Sequence, residues 1–414
     1  MNMISPTFCP LPFNHIFIHP TSRAGVCCAY SRGYNDKDKT QHGGKFLPLI
    51  GEYDNLEDHL KHPYIKDVQQ KMLAGEKVFG CDRCYFEEEH GIQSLRQKEL
   101  EQLNSPWGYD SIIPNLTNPK LNYIEVTFGN FCNLACRTCN SELSHSWIED
   151  NELLKQHGLK SYSTTERLNL GRDWKEDDFK DLEYLKISGG EPMLHTDWFK
   201  FIDKIEPSNI EMFIFTNASW IPKQRHLDIL QKFKRCQIFL SIDGTGTVQE
   251  YMRHNSNWDI TEKATHDWLE FMRYNDNIQI SWAPTWSLMN VNYFIETCKW
   301  WNDITSKILG DTASHCGLIK TNFLYGPDEY QIAHLPKTNL LQIKNDLIIY
   351  AAETSHNEIR IMTESLITFI DNIKGSTHKE EYYNITKVLD KSRNQSTEQM
   401  MPKTYKAMYI ETIL

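Results

Sequence analysis

FCNLACRTCN, residues 131–140, is the stretch on which the fold and function of this chain turn. It puts Cys132, Cys136 and Cys139 on one short loop with the spacing C-x3-C-x2-C. A structural zinc site closes with four ligands. Thiolates are also the ordinary ligands of iron–sulfur clusters, and three of them hold three corners of a four-iron cube and leave one iron open. Three thiols rather than four therefore point to a centre that can do chemistry. The rival reading is a zinc site that borrows a fourth ligand, His145 for instance.

Working outward, the loop follows LNYIEVTF (121–128), a run rich in β-formers. The same kind of run recurs at 182–188, 210–216, 236–242, 277–285 and 317–324, with helical patterns such as RHLDILQKFK and TEKATHDWLEFMRY between them. Strands alternating with helices predict βα units on a parallel sheet. Six units fit the chain before it turns helical and polar at about 330, so the expected core is an incomplete, six-stranded α/β barrel. In such barrels the functional groups gather where strands end and loops begin. The first strand runs into the cysteine loop, and the second ends in SGGEP (188–192). The third ends in TNA (216–218) and the fourth in SIDG (241–244).

The chemistry of these ends is readable. Gly189 and Gly190 let the backbone approach a ligand closely, which a Cβ would block. Glu191 can accept hydrogen bonds from an ammonium group. Thr216, Asn217, Ser241 and Asp243 bring hydroxyls and acceptors suited to a ribose or a carboxylate, and Arg253 can pair with a carboxylate. Taken singly, SGGEP is a common turn before a helix, and Asp243 can be a helix cap.

Together, CNLACRTC and SGGEP at the end of the next strand resemble the radical S-adenosylmethionine (radical SAM) superfamily, over roughly 121–325. The resemblance implies a partial (β/α)6 TIM-like barrel of the radical SAM type. It implies that Cys132, Cys136 and Cys139 bind a four-iron four-sulfur (4Fe-4S) cluster whose open iron chelates S-adenosyl-L-methionine. One-electron reduction, by an external reductant of flavodoxin or ferredoxin type, would release a 5′-deoxyadenosyl radical that abstracts hydrogen from a substrate. Glu191, within the Gly189–Gly190–Glu191 motif, would meet the methionine amino group, and Asn217, Ser241 and Asp243 the methionine carboxylate or ribose. Thr138 departs from the family, which often has an aromatic residue there.

Residues 1–100 read differently. NHIFIHP and GVCCAY look like two strands of a hairpin, followed by a helical pattern at NLEDHLKHPYIKDVQQKMLAG with Asn55 as its cap. Cys9, Cys27, Cys28, Cys81 and Cys84 all lie here. The segment resembles the twitch domain, a shortened relative of the SPASM domain, which carries an auxiliary iron–sulfur cluster. The resemblance implies Cys9, Cys81 and Cys84 as ligands, with Cys27 or Cys28 as the fourth and Cys27 the better fit to the strand-end pattern. Four sulfurs including a C-x2-C also suit zinc, and spacing alone does not separate the metals. The expected organisation is a small α+β twitch domain at 1–100, a linker at 101–120, the barrel at 121–330 and a helical extension at 331–414, weakly packed or peripheral from about 376.

Composition bounds the rest. Eleven cysteines without an export signal at MNMISPTFCPLPFNHIF argue for thiols or metal ligands and a cytoplasmic location. Cys236 and Cys298 read as packing, and Cys316 as a bystander. No uninterrupted apolar run is long enough to span a membrane. A formal net charge of −11 disfavours nucleic acid as a partner. The expected substrate is a peptide or protein side chain, or a small metabolite. The alternative is a non-catalytic zinc or iron–sulfur scaffold, which has no need of Glu191 behind two glycines.

Overall fold

The computed structural model describes residues 5–30, 51, 53–89, 93–102, 116, 119–162, 164–310, 319–373 and 379–410. Cys316, the start of the sixth expected strand and most of the 101–120 linker lie outside them. Two compact units divide the chain. The first comprises Met1–Gly129, Asn169–Ser188 and Thr196–Met212, and the second Asn130–Leu168, Gly189–His195 and Phe213–Leu414.

The strands are β1 (His15–Ile18), β2 (Ala24–Gly25), β3 (Tyr123–Val126), β4 (Ala135–Cys136), β5 (Tyr184–Ile187), β6 (Glu211–Thr216), β7 (Arg235–Leu240), β8 (Arg253–His254), β9 (Ile278–Trp282), β10 (Thr285–Trp286) and β11 (Asn322–Phe323). Seven of them form a mainly parallel sheet in the order β2-β1-β3-β5-β6-β7-β9. The fold is therefore mixed α/β, as the alternation predicts.

In the first unit β1 pairs antiparallel with β2, the expected hairpin, and also runs parallel to β3. The sequence gives no sign of this second pairing, because nothing local in HIFI specifies a partner more than a hundred residues away. β3 pairs in turn with β5. All four residues of β1, β3 and β5 are buried, as parallel strands covered on both faces require. That buries Glu125 and Lys186, and register solves the problem by setting them opposite each other. Lys186 Nζ lies 2.8 Å from Glu125 Oε1, and His15 Nε2 lies 3.6 Å from Glu125 Oε2. Burial opposes charge on Glu125, but Lys186 and then His15 outweigh it and hold the carboxyl far below its usual range. The helical pattern at 55–75 splits into a 3-10 turn at Leu56–Lys61 and a helix at Pro63–Leu73. Pro63 is the cause: it cannot donate into a preceding turn but suits the first position of a new helix.

In the second unit β7 and β9 pair in parallel. The sixth expected strand is short: β11 pairs with β10 in a separate two-stranded sheet. Backbone bonds from Lys320 N to Trp282 O and from Leu324 N to Trp286 O carry it alongside the end of β9 and onto β10. Trp282 and Trp286 are fully buried and pack on Trp301 and Phe294, so they are core. Cys236 and Cys298 are also fully buried and act as small apolar groups.

The tail corrects an expectation. The helices Lys337–Glu353 and Asn357–Asp371 lie where their pattern predicts, but the chain beyond 376 is not weakly packed. The helix Lys379–Ser392 and the turns to Ile410 bury Tyr382, Leu389, Met401 and Met408 completely. These apolar positions are spaced among Lys, Glu and Asn, and composition averages them away.

Candidate functional site

The cysteine loop begins with a backbone lock. Glu191 N donates to Phe131 O at 2.7 Å, which ties the SGGEP turn to the first residue of the loop. Gly190 makes this approach possible. Its φ of +58° favours glycine, and a Cβ there would sit 2.3 Å from Phe131 O. The close approach at Gly190 is to the backbone of the cysteine loop, not to a ligand.

The far side of the loop is a strand. β4 pairs antiparallel with β8, which sets Cys136 opposite Arg253. Arg253 Nη1 lies 3.8 Å from Cys136 Sγ, and Arg253 Nε lies 2.9 Å from Asp243 Oδ2. Asp243 also accepts from Thr285 N at 2.9 Å, so its carboxylate orients Arg253. Burial raises all three thiols; the neighbouring Cys136 adds to this for Cys132 and Cys139, and Arg253 opposes it for Cys136 and Cys139. The Cys139 thiol is pushed up to about 12.

Glu191 is fully buried. Its Oε1 accepts from Thr216 Oγ1 at 2.9 Å and its Oε2 from Asn217 N at 2.7 Å. Burial pushes its carboxyl up to about 7, against hydrogen bonds from Asn217, Thr216 and Trp220. A carboxylate has about four acceptor sites, so an incoming ammonium could still be accepted. Asn217 Nδ2 donates to Asn133 Oδ1 at 2.9 Å and lies 3.7 Å from Cys132 Sγ. Ser241 follows β7, and its N–H donates to Thr216 O at 2.9 Å. Cys132, Cys136, Cys139, Gly189, Gly190, Glu191, Asn217, Ser241, Asp243 and Arg253 all belong to the second unit.

Several residues escaped the sequence reading. Asn130 Nδ2 donates to Ser141 O at 2.8 Å and so closes the loop on itself. Trp147 Nε1 donates to Cys136 O at 2.7 Å. The thiol neighbours of His145 do not explain its place: Nδ1 lies 3.1 Å from Cys132 N, Nε2 3.1 Å from an Arg167 nitrogen, and the ring stacks on Phe131. With both ring nitrogens so engaged, His145 is a loop brace and a poor fourth zinc ligand. No local motif announces such braces; only the helical and loop context brings them in.

The other cysteines assemble in the first unit. Tyr30 covers Gly80, where a Cβ would fall about 2 Å from the ring, and this seats the 27–30 turn on the Cys81 segment. Burial raises Cys9 and Cys27, and both also feel Cys81 and Cys84. Cys28 faces elsewhere: Lys186 Nζ donates to its Sγ at 3.4 Å. At neither group do three Cys, His, Asp or Glu side chains among the described residues already converge as metal ligands. The donor chemistry of the 132–139 loop nonetheless suits a cluster: three thiols, no competing carboxylate among them, and a backbone N–H from Leu134 within 3.5 Å of Cys132 Sγ.

No curated protein matches the chain. Among solved structures it is similar to Streptococcus suis SuiB bound to S-adenosylmethionine, at 13% identity and a TM-score of 0.34, covering 77% of this chain and 57% of that one. It is also similar to anSMEcpe with bound AdoMet, at 12% identity and a TM-score of 0.38, covering 56% and 58%. A further likeness is to TYW1 with a lysine-pyruvate adduct bound, at 14% identity and a TM-score of 0.24, covering 42% and 58%. The chain thus spans less than two thirds of each of these structures. Residues 126–277, the stretch that holds the cysteine loop, Glu191 and Arg253, match the family described as Radical SAM superfamily.

Proposed function

We propose that this protein is a radical SAM enzyme: it reductively cleaves S-adenosylmethionine at a 4Fe-4S cluster to a 5′-deoxyadenosyl radical, which takes hydrogen from a substrate. The observation that carries this reading is Glu191, a fully buried carboxylate with spare acceptor capacity, fixed by Gly190 to the backbone of a three-thiol loop. A zinc scaffold gives no reason for that arrangement.

Cys132, Cys136 and Cys139 would hold the cluster, and one-electron reduction of S-adenosylmethionine is the chemistry it supplies when bound. The rest is the work of side chains. Glu191 accepts the methionine ammonium, oriented by Thr216 Oγ1 and Asn217 N. Arg253, steered by Asp243, presents a guanidinium beside Cys136 and can meet a carboxylate. Ser241 and Asn217 offer a hydroxyl and an amide to the carboxylate or ribose. Within the loop Cys132, Leu134, Ala135 and Arg137 are buried, while Cys136 and Cys139 are partly exposed.

The proposal extends to the first unit. Cys9, Cys27, Cys81 and Cys84 would bind an auxiliary 4Fe-4S cluster in a twitch-like segment, 1–100, ahead of a linker (101–120), a partial (β/α)6 barrel (121–330) and a helical extension (331–414). Cys27 rather than Cys28 is the fourth ligand on this reading, because Cys28 is directed to Lys186. The substrate is a peptide or protein side chain or a small metabolite, and an external one-electron donor supplies the electron.

The test is deoxyadenosine formation under dithionite with S-adenosylmethionine. Cys136→Ala should reduce it to background, whereas Cys84→Ala should spare at least part of the uncoupled cleavage. The reverse pattern would exchange the two sites and defeat the assignment.

A further inference from the structure

The cysteine loop is gripped from a part of the chain far outside residues 126–277. Arg137, between the second and third thiols, is fully buried. Its Nη2 donates to Asp390 Oδ1 and, at 2.9 Å, to Gln395 Oε1. Its guanidinium lies 4.1 Å from the centre of the Tyr251 ring, and Tyr251 Oη donates to the same Asp390 oxygen at 2.8 Å. The other Asp390 oxygen accepts from Thr397 N at 2.9 Å and Thr397 Oγ1 at 2.8 Å. Asp390 is thus held on both oxygens and can hold Arg137 in turn.

A second grip lies beside it. Arg393, whose side chain is 2% exposed, pairs with Asp150 at 2.8 Å and lies 4.8 Å from the centre of the Trp147 ring. Trp147 is the residue whose Nε1 donates to Cys136 O. One guanidinium nitrogen of Arg393, Nη1, has no hydrogen-bond partner among the described residues.

We propose that residues 390–397 form a clamp on the cysteine loop, in which Asp390 is a positioning residue acting through Arg137, and Arg393 is a positioning residue that sets the potential of a cluster held there. This rests on the radical SAM reading above. The physics is direct: a buried cation near a cluster favours the more negative, reduced state, so it raises the midpoint potential. Asp150 opposes Arg393, so removing one or the other must shift the potential in opposite directions.

The test is a potentiometric titration of the 132–139 cluster in the full chain, followed by electron paramagnetic resonance. Arg393→Gln should move the midpoint negative, Asp150→Asn positive, and Arg393→Lys should stay near the parent. Shifts of one sign in both neutralising variants, or no shift in either, would overturn the electrostatic role; a merely structural role loses cluster without this opposition of sign. Should Arg393→Gln fail to fold, Asp150→Asn against Arg393→Lys still decides it.

Amide hydrogen exchange on the metal-free protein tests the clamp independently. Asp390→Asn should speed exchange at Arg137, whose N–H donates to Met252 O, at least tenfold, while the amides of β7 and β9 stay unchanged. Unchanged exchange at Arg137 overturns the clamp. If the parent protein instead holds no cluster that responds to S-adenosylmethionine, the radical SAM reading falls and with it the role of Arg393, while the exchange result still decides the clamp.

Discussion

The two cysteine groups reach their places by opposite routes. Cys132, Cys136 and Cys139 lie within eight residues of one loop, locked by Gly190 and Glu191 on one side and by β8 on the other. Cys9, Cys27, Cys81 and Cys84 come from three separated segments, and packing such as Tyr30 over Gly80 brings them together. Both groups have cations near some of their thiols. Arg253 and Arg393 oppose burial at Cys136 and Cys139, and Arg96 opposes it at Cys81 and Arg83 at Cys84. Cys9 and Cys27 are raised by burial and by neighbouring thiols.

The largest expected effect, background deoxyadenosine in Cys136→Ala against residual cleavage in Cys84→Ala, sharpens this contrast most. Next comes the buried pair behind the amino-terminal cysteines. Lys186→Met should destabilise the protein by about 3–5 kcal/mol, because it leaves Glu125 charged and without its ammonium. A denaturant midpoint close to that of the parent would show that the pair matters less than its burial implies.

Gly190→Ala attacks the loop lock. The positive φ alone costs about 1–3 kcal/mol, and the methyl must also displace the Phe131 backbone. Lower stability together with loss of S-adenosylmethionine binding is the expected result in calorimetry, and unaltered binding would break the link between the SGGEP turn and the loop. The pH dependence is smaller. Only ionised Glu191 accepts an ammonium, so affinity should fall as pH drops below about 7 and level off above it. The sign for folding is opposite: a carboxyl raised from 4.5 to about 7 disfavours the native state as pH rises through that window. Glu191→Gln should weaken binding on the order of tenfold and remove the pH dependence. Smallest of all, Cys28→Ser should leave the iron content of the first unit unchanged while Cys27→Ser lowers it; equal losses would undo the choice between them.

How much of this was legible varies with distance along the chain. The C-x3-C-x2-C loop, SGGEP and the strand-end residues are local patterns, and the structure places Asn217, Asp243 and Arg253 around the loop they accompany. The strand alternation is legible for the same reason. The parallel pairing of β1 with β3, the Glu125–Lys186 pair and the Arg137–Asp390 contact are not, since each depends on partners tens to hundreds of residues away. Pro63 was visible, but its effect was lost inside an otherwise continuous helical period. The packing of the tail is hidden in its composition because its buried residues are spaced among charges.

Anaerobic reconstitution of the full chain, with iron and sulfide counted and 5′-deoxyadenosine measured after dithionite and S-adenosylmethionine, tests the central claim most directly. The account predicts about eight irons per chain and deoxyadenosine above background. Well-folded, properly reconstituted protein with no iron and no deoxyadenosine would contradict it.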